Sequence, residues 1–164
     1  MNKYIKRIVI FVILLCAVWF LHYGNSDKKS YPEVTVRFID VGQADCEVIQ
    51  FPDGRNVIID AGGKKTADEL VKKLKSFGIE KFDYVVATHP HEDHIGGMSE
   101  IINNFETGTV YMPDAVSTTD VFEDMLYSIE ASGTDVKQAK AGVTIINEDG
   151  TKMEFMAPVG SDYK

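Results

Sequence analysis

Cysteine is scarce in this sequence, which has only Cys16 and Cys46. Cys16 lies inside a long apolar run and Cys46 lies in the body of the chain, so we expect no disulfide between them. This excludes a small disulfide-stapled fold, and Cys46 is predicted to be a small buried apolar residue. Repeats and low-complexity tracts are also absent. The 164 residues, 45% of them hydrophobic, fit one domain with a real core.

Basic residues are also few. The sequence has 17 lysines and arginines against 25 aspartates and glutamates, which gives a net charge of −8. Residues 1–29 hold five basic residues and one acidic residue, so the acidic excess lies in residues 30–164. A body this acidic repels polyanions over its general surface. We therefore expect no specific binding of duplex nucleic acid, and an anionic substrate would be drawn in locally by bound metal.

The first residues are basic, and residues 8–21 form an unbroken apolar run. This pattern is typical of a signal peptide or a short membrane anchor. No Ala-x-Ala cleavage site follows, so a retained anchor is preferred over a cleaved signal, with a buried core helix as the third alternative. We predict a signal peptide or anchor at residues 1–24, with membrane contact through residues 8–23, a linker at 25–32 and a domain at 33–164. The domain would lie outside the cytoplasm, either anchored or secreted.

The pattern of apolar residues beyond the linker predicts an α/β (α+β) fold with helices covering a sheet. Residues 34–39, 46–51 and 56–60 read as three strands in hairpin order, which indicates an antiparallel meander. Helices then alternate with strands. Helices are predicted at 66–78, 98–105 and 120–132, and strands at 82–87, 110–112, 135–139, 143–146 and 152–156.

Three of the four histidines fall within six residues, directly after the buried strand at 82–87. His89 and His91 alternate along the chain, so their rings can grip one metal ion; Asp93 and His94 follow where the chain turns and can address a second. Two ions about 3.5–4 Å apart can share a hydroxide that attacks a substrate. The alternative is a solvated histidine-rich loop that binds metal adventitiously.

Residues 88–97 resemble the metal-binding signature of the metallo-β-lactamase superfamily. Residues 38–45 and 56–62 resemble the start of the hydrolase domain of ComEC-type competence proteins, although Ala44 stands where that domain has a second glycine. The likeness covers residues 33–160. It implies an αββα sandwich, with His89 and His91 on the first metal ion and Asp93 and His94 on the second. The ions would be zinc, with manganese or iron as alternatives.

The same resemblance assigns roles to residues around the cluster. Asp93 is the candidate catalytic residue, and Asp60 would support the metal site from behind the ligands, the alternative being a turn-forming aspartate. Gln43 and Asp45 are candidates for the rim of the substrate pocket or for loop structure alone. Lys64 and Lys65 could meet an anionic substrate, but a solvated charge pair is the preferred interpretation.

The superfamily supplies a further histidine to the first metal, a bridging aspartate and a last histidine to the second, yet no histidine follows His94. We therefore expect only the first half of the αββα sandwich, behind an N-terminal apolar helix, and a fragment that binds metal weakly and hydrolyses little. The parent is expected to hydrolyse phosphodiester bonds. The alternatives are hydrolysis of lactam, lactone or thioester bonds, or a non-catalytic, vestigial metal-binding surface protein.

Overall fold

The computed structural model describes residues 4–5, 7, 9–13, 33–148 and 150–160, and the chain separates into two units, Met1–Ser30 and Tyr31–Lys164. The described residues of the first unit are helical. Within the described ranges, no helix is both long and apolar enough to cross a bilayer. The predicted signal or anchor at 1–24 and the linker at 25–32 fall mostly outside the described residues, so both stay predictions.

The second unit contains a six-stranded sheet whose strands are adjacent in sequence order. The first three strands are antiparallel, as the alternating pattern predicts, and each later strand is parallel to its neighbour. The strands are β1 (Thr35–Phe38), β2 (Glu47–Gln50), β3 (Asn56–Ile59), β4 (Lys81–Val86), β5 (Glu106–Met112) and β6 (Asp135–Gln138).

Helices form the connections between the parallel strands. A 3-10 turn at Lys64–Thr66 precedes α1 (Ala67–Ser76); α2 (Glu92–Ile95), α3 (Met98–Asn104) and α4 (Asp120–Ser132) follow. Gly133 ends α4 at φ +67°, the left-handed conformation that favours glycine. Thr66 is the first residue of the predicted helix at 66–78 and is of a type that often caps helices, but its side chain does not cap α1. Its backbone is helical and its hydroxyl donates to the Gly63 carbonyl at 3.0 Å, because the 3-10 turn already occupies the helix entrance.

One face of the sheet packs against the helices and holds the larger core. Val48, Ile58 and Val85 on the strands meet Leu74, Ile101 and Met125 on the helices, and all are almost completely buried. The periodic apolar residues of α1 and α4 therefore supply the helical layer that the sequence predicts. This confirms the mixed α/β fold class.

The opposite face of the sheet holds a smaller apolar cluster beneath a hairpin of β7 (Thr144–Glu148) and β8 (Thr151–Glu154). The rings of Tyr111 and Phe155 lie 5.5 Å apart in this cluster, and Arg55 forms an ion pair with Glu148 of β7. Farther along the same face Val36 pairs with Ile49, and the side chain of Val36 is 49% exposed. The described residues therefore cover this face only in part.

The parallel strands β3 to β6 place their carboxyl ends at one edge of the sheet. The residues that follow them there are Asp60, Ala87, Pro113 and Ala139. Ligand sites of α/β sheets tend to lie at this edge. The predicted metal-binding residues follow β4, so the fold places them there.

Candidate metal centre

The histidine-rich segment leaves β4 at the carboxyl edge and turns into the single-turn helix α2. The amide of Ala87 donates to the Tyr111 carbonyl at 2.9 Å, which keeps the segment beside β5 until the strand ends. His91 then has extended backbone angles at the start of α2, and its carbonyl accepts the amides of His94 and Ile95. The chain therefore turns between His91 and His94, as the sequence predicts.

The two glycines after α2 let this segment pack against the loop that follows β3. A Cβ on Gly97 would lie 2.3 Å from the Ala61 carbonyl oxygen, and one on Gly96 would lie 2.4 Å from the Lys64 amide nitrogen. Two backbone hydrogen bonds join the loops at the same place. The Ala61 amide donates to the His94 carbonyl at 2.7 Å, and the Gly97 amide donates to the Gly62 carbonyl at 3.1 Å.

Asp60 is the centre of the hydrogen bonding beneath the histidines. It is 2% exposed and has φ +55°, a conformation that aspartate tolerates better than most residues. Its Oδ1 accepts the Thr88 amide at 2.9 Å, and its Oδ2 accepts the Thr88 hydroxyl at 2.6 Å. The same Oδ2 lies 2.6 Å from Nδ1 of His94. An ionised carboxylate only accepts, so Nδ1 of His94 carries the proton.

The tautomer of His94 decides what its other nitrogen can do. With the proton on Nδ1, the lone pair on Nε2 is free to bind a metal ion. This nitrogen lies 3.6 Å from Oδ2 of Asp45 and 3.7 Å from Oδ2 of Asp93. Two ligands of one tetrahedral zinc ion lie about 3.4 Å apart, so either carboxylate could share an ion with His94 after a small adjustment.

His89 and His91 complete the cluster. The His89 ring centroid lies 4.7 Å from that of His91 and 3.7 Å from that of His94. The hydroxyl of Thr88 donates to Asp60, so its oxygen can accept a proton from Nδ1 of His89, 3.1 Å away. That contact would leave Nε2 of His89 free as well. Burial, followed by the charges of His94 and His91, lowers the pKa of His89, which favours the neutral imidazole that binds metal.

The donor chemistry of the cluster fits a divalent metal ion, since imidazole and carboxylate are ligands for zinc, manganese and iron. The buried carboxylate of Asp60 behind His94 is the arrangement that orients a metal-binding histidine. Within residues 33–148 and 150–160, no three histidine, cysteine, aspartate or glutamate side chains already converge on a single ion position. The four predicted ligands are thus adjacent but do not form a finished coordination shell.

The other sequence candidates take different positions. Asp45 is brought to His94 by the loop between β1 and β2, where its amide donates to the Asp93 carbonyl at 3.1 Å. Gln43 of the same loop is exposed. Lys64 forms an ion pair with Asp124 of α4 at 2.8 Å, and Lys65 is exposed.

Two further residues, Cys46 and Thr88, lie beside the cluster. Cys46 is 3% exposed, as predicted, and burial raises the pKa of its thiol to about 12. Thr88 was missed by sequence reasoning although it joins Asp60 to both His89 and His94. Its position between a buried strand and the first histidine is the signal that could have identified it.

Comparison with known proteins identifies the family of the chain. Residues 39–156 match the family model of the Metallo-beta-lactamase superfamily. The chain is similar to ComE operon protein 3 of Bacillus subtilis (strain 168), with 25% identity over 166 aligned positions, covering 91% of this chain and 21% of the relative. It therefore spans about a fifth of that relative.

Shorter stretches resemble other proteins. The anaerobic nitric oxide reductase flavorubredoxin of Enterobacter sp. (strain 638) is 32% identical over 60 residues, 36% of this chain and 12% of the relative. The hydroxyacylglutathione hydrolase of Buchnera aphidicola subsp. Schizaphis graminum (strain Sg) is 34% identical over 65 residues, 40% of this chain and 24% of the relative. The family match covers most of the folded unit and includes the whole histidine cluster, so the chain belongs to the metallo-beta-lactamase superfamily.

Proposed function

We propose that this protein is a metal-dependent hydrolase that cleaves phosphodiester bonds outside the cytoplasm. One observation carries the proposal. The 2.6 Å contact between Asp60 and Nδ1 of His94 directs the free Nε2 of His94 towards the carboxylates of Asp45 and Asp93. A buried carboxylate that fixes a histidine beside two exposed carboxylates is suited to holding a metal ion.

Each residue has a separate role in this proposal. His89 and His91 would hold a first divalent ion, and His94 with Asp93 would hold a second, with Asp45 as an additional carboxylate. The ions, when bound, would lower the pKa of water and offset negative charge on the displaced oxygen. Thr88 and Asp60 keep the imidazoles in the tautomers that leave Nε2 free. Zinc is the preferred ion, with manganese or iron as alternatives.

The preference for phosphodiester bonds rests on how much of the chain resembles the ComEC-type hydrolase domain. The resemblance to the ComEC-type hydrolase domain runs through the strands before the histidine cluster as well as through the cluster. The aligned region with ComE operon protein 3 covers 91% of the chain, against 40% or less for the other relatives named above. The acidic body favours a small or locally held substrate over long duplex DNA.

A second candidate is hydrolysis of lactam, lactone or thioester bonds by the same ligands. The 34% identity with a hydroxyacylglutathione hydrolase over 65 residues favours it. The two candidates differ in the atom that is attacked, phosphorus in one and a carbonyl carbon in the other, so substrate choice separates them.

Activity of the full chain tests the proposal. The metal-free protein is loaded with zinc or manganese and assayed with bis-p-nitrophenyl phosphate, nitrocefin and a thioester substrate. We expect cleavage of the phosphodiester, even if slow, and its loss in the double variant H89A/H91A. Substitution of the fourth histidine, His22→Ala, is the matched control for removal of an imidazole and should leave the rate unchanged.

The alternatives give different results in the same assay. Cleavage of nitrocefin or the thioester alone would replace the proposal by the second candidate. Metal bound in stoichiometric amounts without any cleavage, or no metal at all, would favour the non-catalytic alternative.

The extracytoplasmic location is part of the proposal and has its own test. The apolar run at residues 8–21, behind a basic start, supports it. Alkaline phosphatase fused after residue 164 should be active, since that enzyme needs an oxidising compartment. Deletion of residues 1–24 should abolish its activity, whereas an active fusion after the deletion would contradict an export role for this segment.

A further inference from the structure

The six-stranded sheet ends in β1 on one side and β6 on the other, and the two outer edges differ in chemistry. Among the strands that the structure describes, each end strand pairs with one neighbour, so its other side presents backbone N–H and C=O groups. Such an edge is a template for a further strand, and proteins commonly guard it with charged side chains. β6 is guarded in this way, because Asp135 and Lys137 both lie on it and are exposed.

The edge at β1 is apolar instead. Residues 33–38 contain no lysine or proline. The side chains of Val34, Val36 and Phe38 are 46, 49 and 79% exposed. They alternate along the chain and therefore lie on one face of the sheet, the face away from the helices, where Val36 pairs with Ile49.

The charged residue of β1 is directed back over the sheet. The guanidinium of Arg37 donates to the side chain of Gln50 on the neighbouring strand. Its Cζ also lies 5.1 Å from the centroid of the Phe77 ring, at the end of α1. Arg37 therefore does not block the approach of a further strand.

The backbone of β1 determines which groups face outward. The Ile39 amide donates to the Cys46 carbonyl at 2.8 Å, so the odd-numbered residues of this strand direct their N–H and C=O groups towards β2. The alternate residues Val34, Val36 and Phe38 then direct theirs towards the open edge. The residues with exposed apolar side chains are thus the ones with outward backbone groups.

This edge is complementary to itself in antiparallel orientation. With Val36 of one copy opposite Val36 of a second copy, Val34 of each copy lies opposite Phe38 of the other. Each of these pairs can exchange both of its N–H···O=C bonds. On the other face, Glu33 of each copy lies diagonally beside Arg37 of the other, so opposite charges are neighbours across the interface.

The neighbouring registers are less favourable. A two-fold axis at Arg37 would place two guanidinium groups directly opposite each other, which is destabilising. An axis at Thr35 would place Phe38 opposite Pro32, which has no N–H to donate. Hydrogen bonding and charge therefore favour the axis at Val36.

We propose that two copies of this chain associate through β1, antiparallel about Val36, so that their two six-stranded sheets become one continuous sheet. The histidine cluster follows β4, and β2 and β3 separate it from the shared edge. Association therefore leaves both clusters open. It requires no metal and does not rest on the proposed hydrolase function.

The mass of the full chain tests the association. Light scattering in a mild detergent with EDTA gives the mass of the protein part, and we expect twice the 18.3 kDa of one chain. Val36→Lys should reduce it to 18.3 kDa, because the two ammonium groups would meet at the axis. Val136→Lys is the matched control and should stay dimeric, since Val136 is 48% exposed on the end strand β6. Thermal melting checks the fold of both variants.

Cross-linking tests the register with the edge left apolar. In a Cys16→Ser background, Val36→Cys should be joined to the same position of the second copy by a short bis-thiol reagent. Opposite residues that exchange hydrogen bonds have Cα atoms about 5.5 Å apart. Val136→Cys should give no such product, and Cys46 is 3% exposed and stays unmodified.

Hydrogen exchange distinguishes strand pairing from other contacts. Exchange of the Val36 and Phe38 amides should slow as the protein concentration rises, because these amides become bonded only in the dimer. The Arg37 amide faces β2 and should exchange at the same rate at every concentration.

Several results would overturn the inference. These are a wild-type mass of one chain, a dimeric Val36→Lys variant, or equal cross-linking of Val36→Cys and Val136→Cys. A Val36 amide protected at every concentration would mean that another segment of the same chain covers the edge. A dimer that survives Val36→Lys but is lost on deletion of residues 1–24 would assign the association to the apolar run.

Discussion

His94 and Asp60 are 34 positions apart in the sequence, and Nδ1 of His94 lies 2.6 Å from Oδ2 of Asp60. Asp60 follows β3 and His94 belongs to α2, so this contact joins two loops at the carboxyl edge of the sheet. The backbone hydrogen bond from Ala61 to His94 holds the same loops together. The orientation of the histidine is therefore set by the protein scaffold before any metal arrives.

Asp60→Asn should reverse the tautomer of His94. The asparagine oxygen can still accept the Thr88 amide, but its NH2 group would face Nδ1 of His94 and donate to it. The proton of His94 would then lie on Nε2, which could no longer bind metal. We expect zinc affinity to fall about 10- to 100-fold, measured by competition with a chromophoric chelator.

Long-range proton–nitrogen NMR spectra of the metal-free protein report the tautomer directly. The wild type should show the proton of His94 on Nδ1 and the variant should show it on Nε2. Asp68→Asn, at an exposed carboxylate of α1, is the control for loss of a charge. An unchanged tautomer together with unchanged zinc affinity in Asp60→Asn would contradict the role assigned to Asp60.

Asp45→Ala should weaken metal binding at His94. The Asp45 carboxylate lies as close to Nε2 of His94 as the Asp93 carboxylate does, at 3.6 against 3.7 Å. We expect affinity for the more weakly held ion to fall at least about tenfold, measured by isothermal titration with zinc. Glu92→Ala removes an exposed carboxylate from the histidine segment itself and should have a smaller effect. Equal effects of the two changes would show that Asp45 acts only through net charge.

The contact between Asp45 and His94 is a feature that could not be predicted from the sequence. Apolar alternation defines β1, β2 and β3, and the buried strand before His89 places the histidines at the correct edge. Alternation does not specify which loops meet across that edge. The contact between Asp45 and His94 spans almost fifty positions and depends on the sheet order and on the path of the loop between β1 and β2, so the sequence suggested only a rim residue.

Residue types at the ends of helices predicted one end correctly and another wrongly. Gly133 ends its helix as predicted, because a left-handed residue after the last turn is a strong preference of glycine. Thr66 fails as a helix cap because a 3-10 turn precedes the helix, and its hydroxyl is used inside that turn. The role of Thr88 depends on its distance from Asp60, which only the folded chain determines.

The thiol of Cys46 should be nearly unreactive in the folded protein. It is 3% exposed, and burial raises its pKa to about 12 from an ordinary 9.0. At pH 8 the thiolate fraction should therefore be about a thousandth of that of an exposed cysteine. In the Cys16→Ser variant, where Cys46 is the only thiol, alkylation by iodoacetamide should be slow in buffer and fast in concentrated urea. Rapid alkylation of the folded chain would show that the segment after Asp45 is open.

Gly97→Ala should destabilise the fold because the added methyl group has no space. The backbone of Gly97, at φ −95°, is one that alanine adopts easily, so the effect is steric. A Cβ there would lie 2.3 Å from the Ala61 carbonyl oxygen, which cannot retreat without breaking the hydrogen bonds that hold the loops together. We expect the free energy of unfolding in urea to fall by about 2–3 kcal/mol.

Gly63→Ala is the matched control in the neighbouring loop. No heavy atom lies within 4 Å of a Cβ at Gly63, and its φ of −84° also suits alanine. This change should be neutral or stabilise the fold by up to about 1 kcal/mol, since it restricts the unfolded chain. Equal stability of the two variants would mean that the loops are not in close contact. The histidine cluster would then lack the support on which the positions of His94 and Asp60 depend.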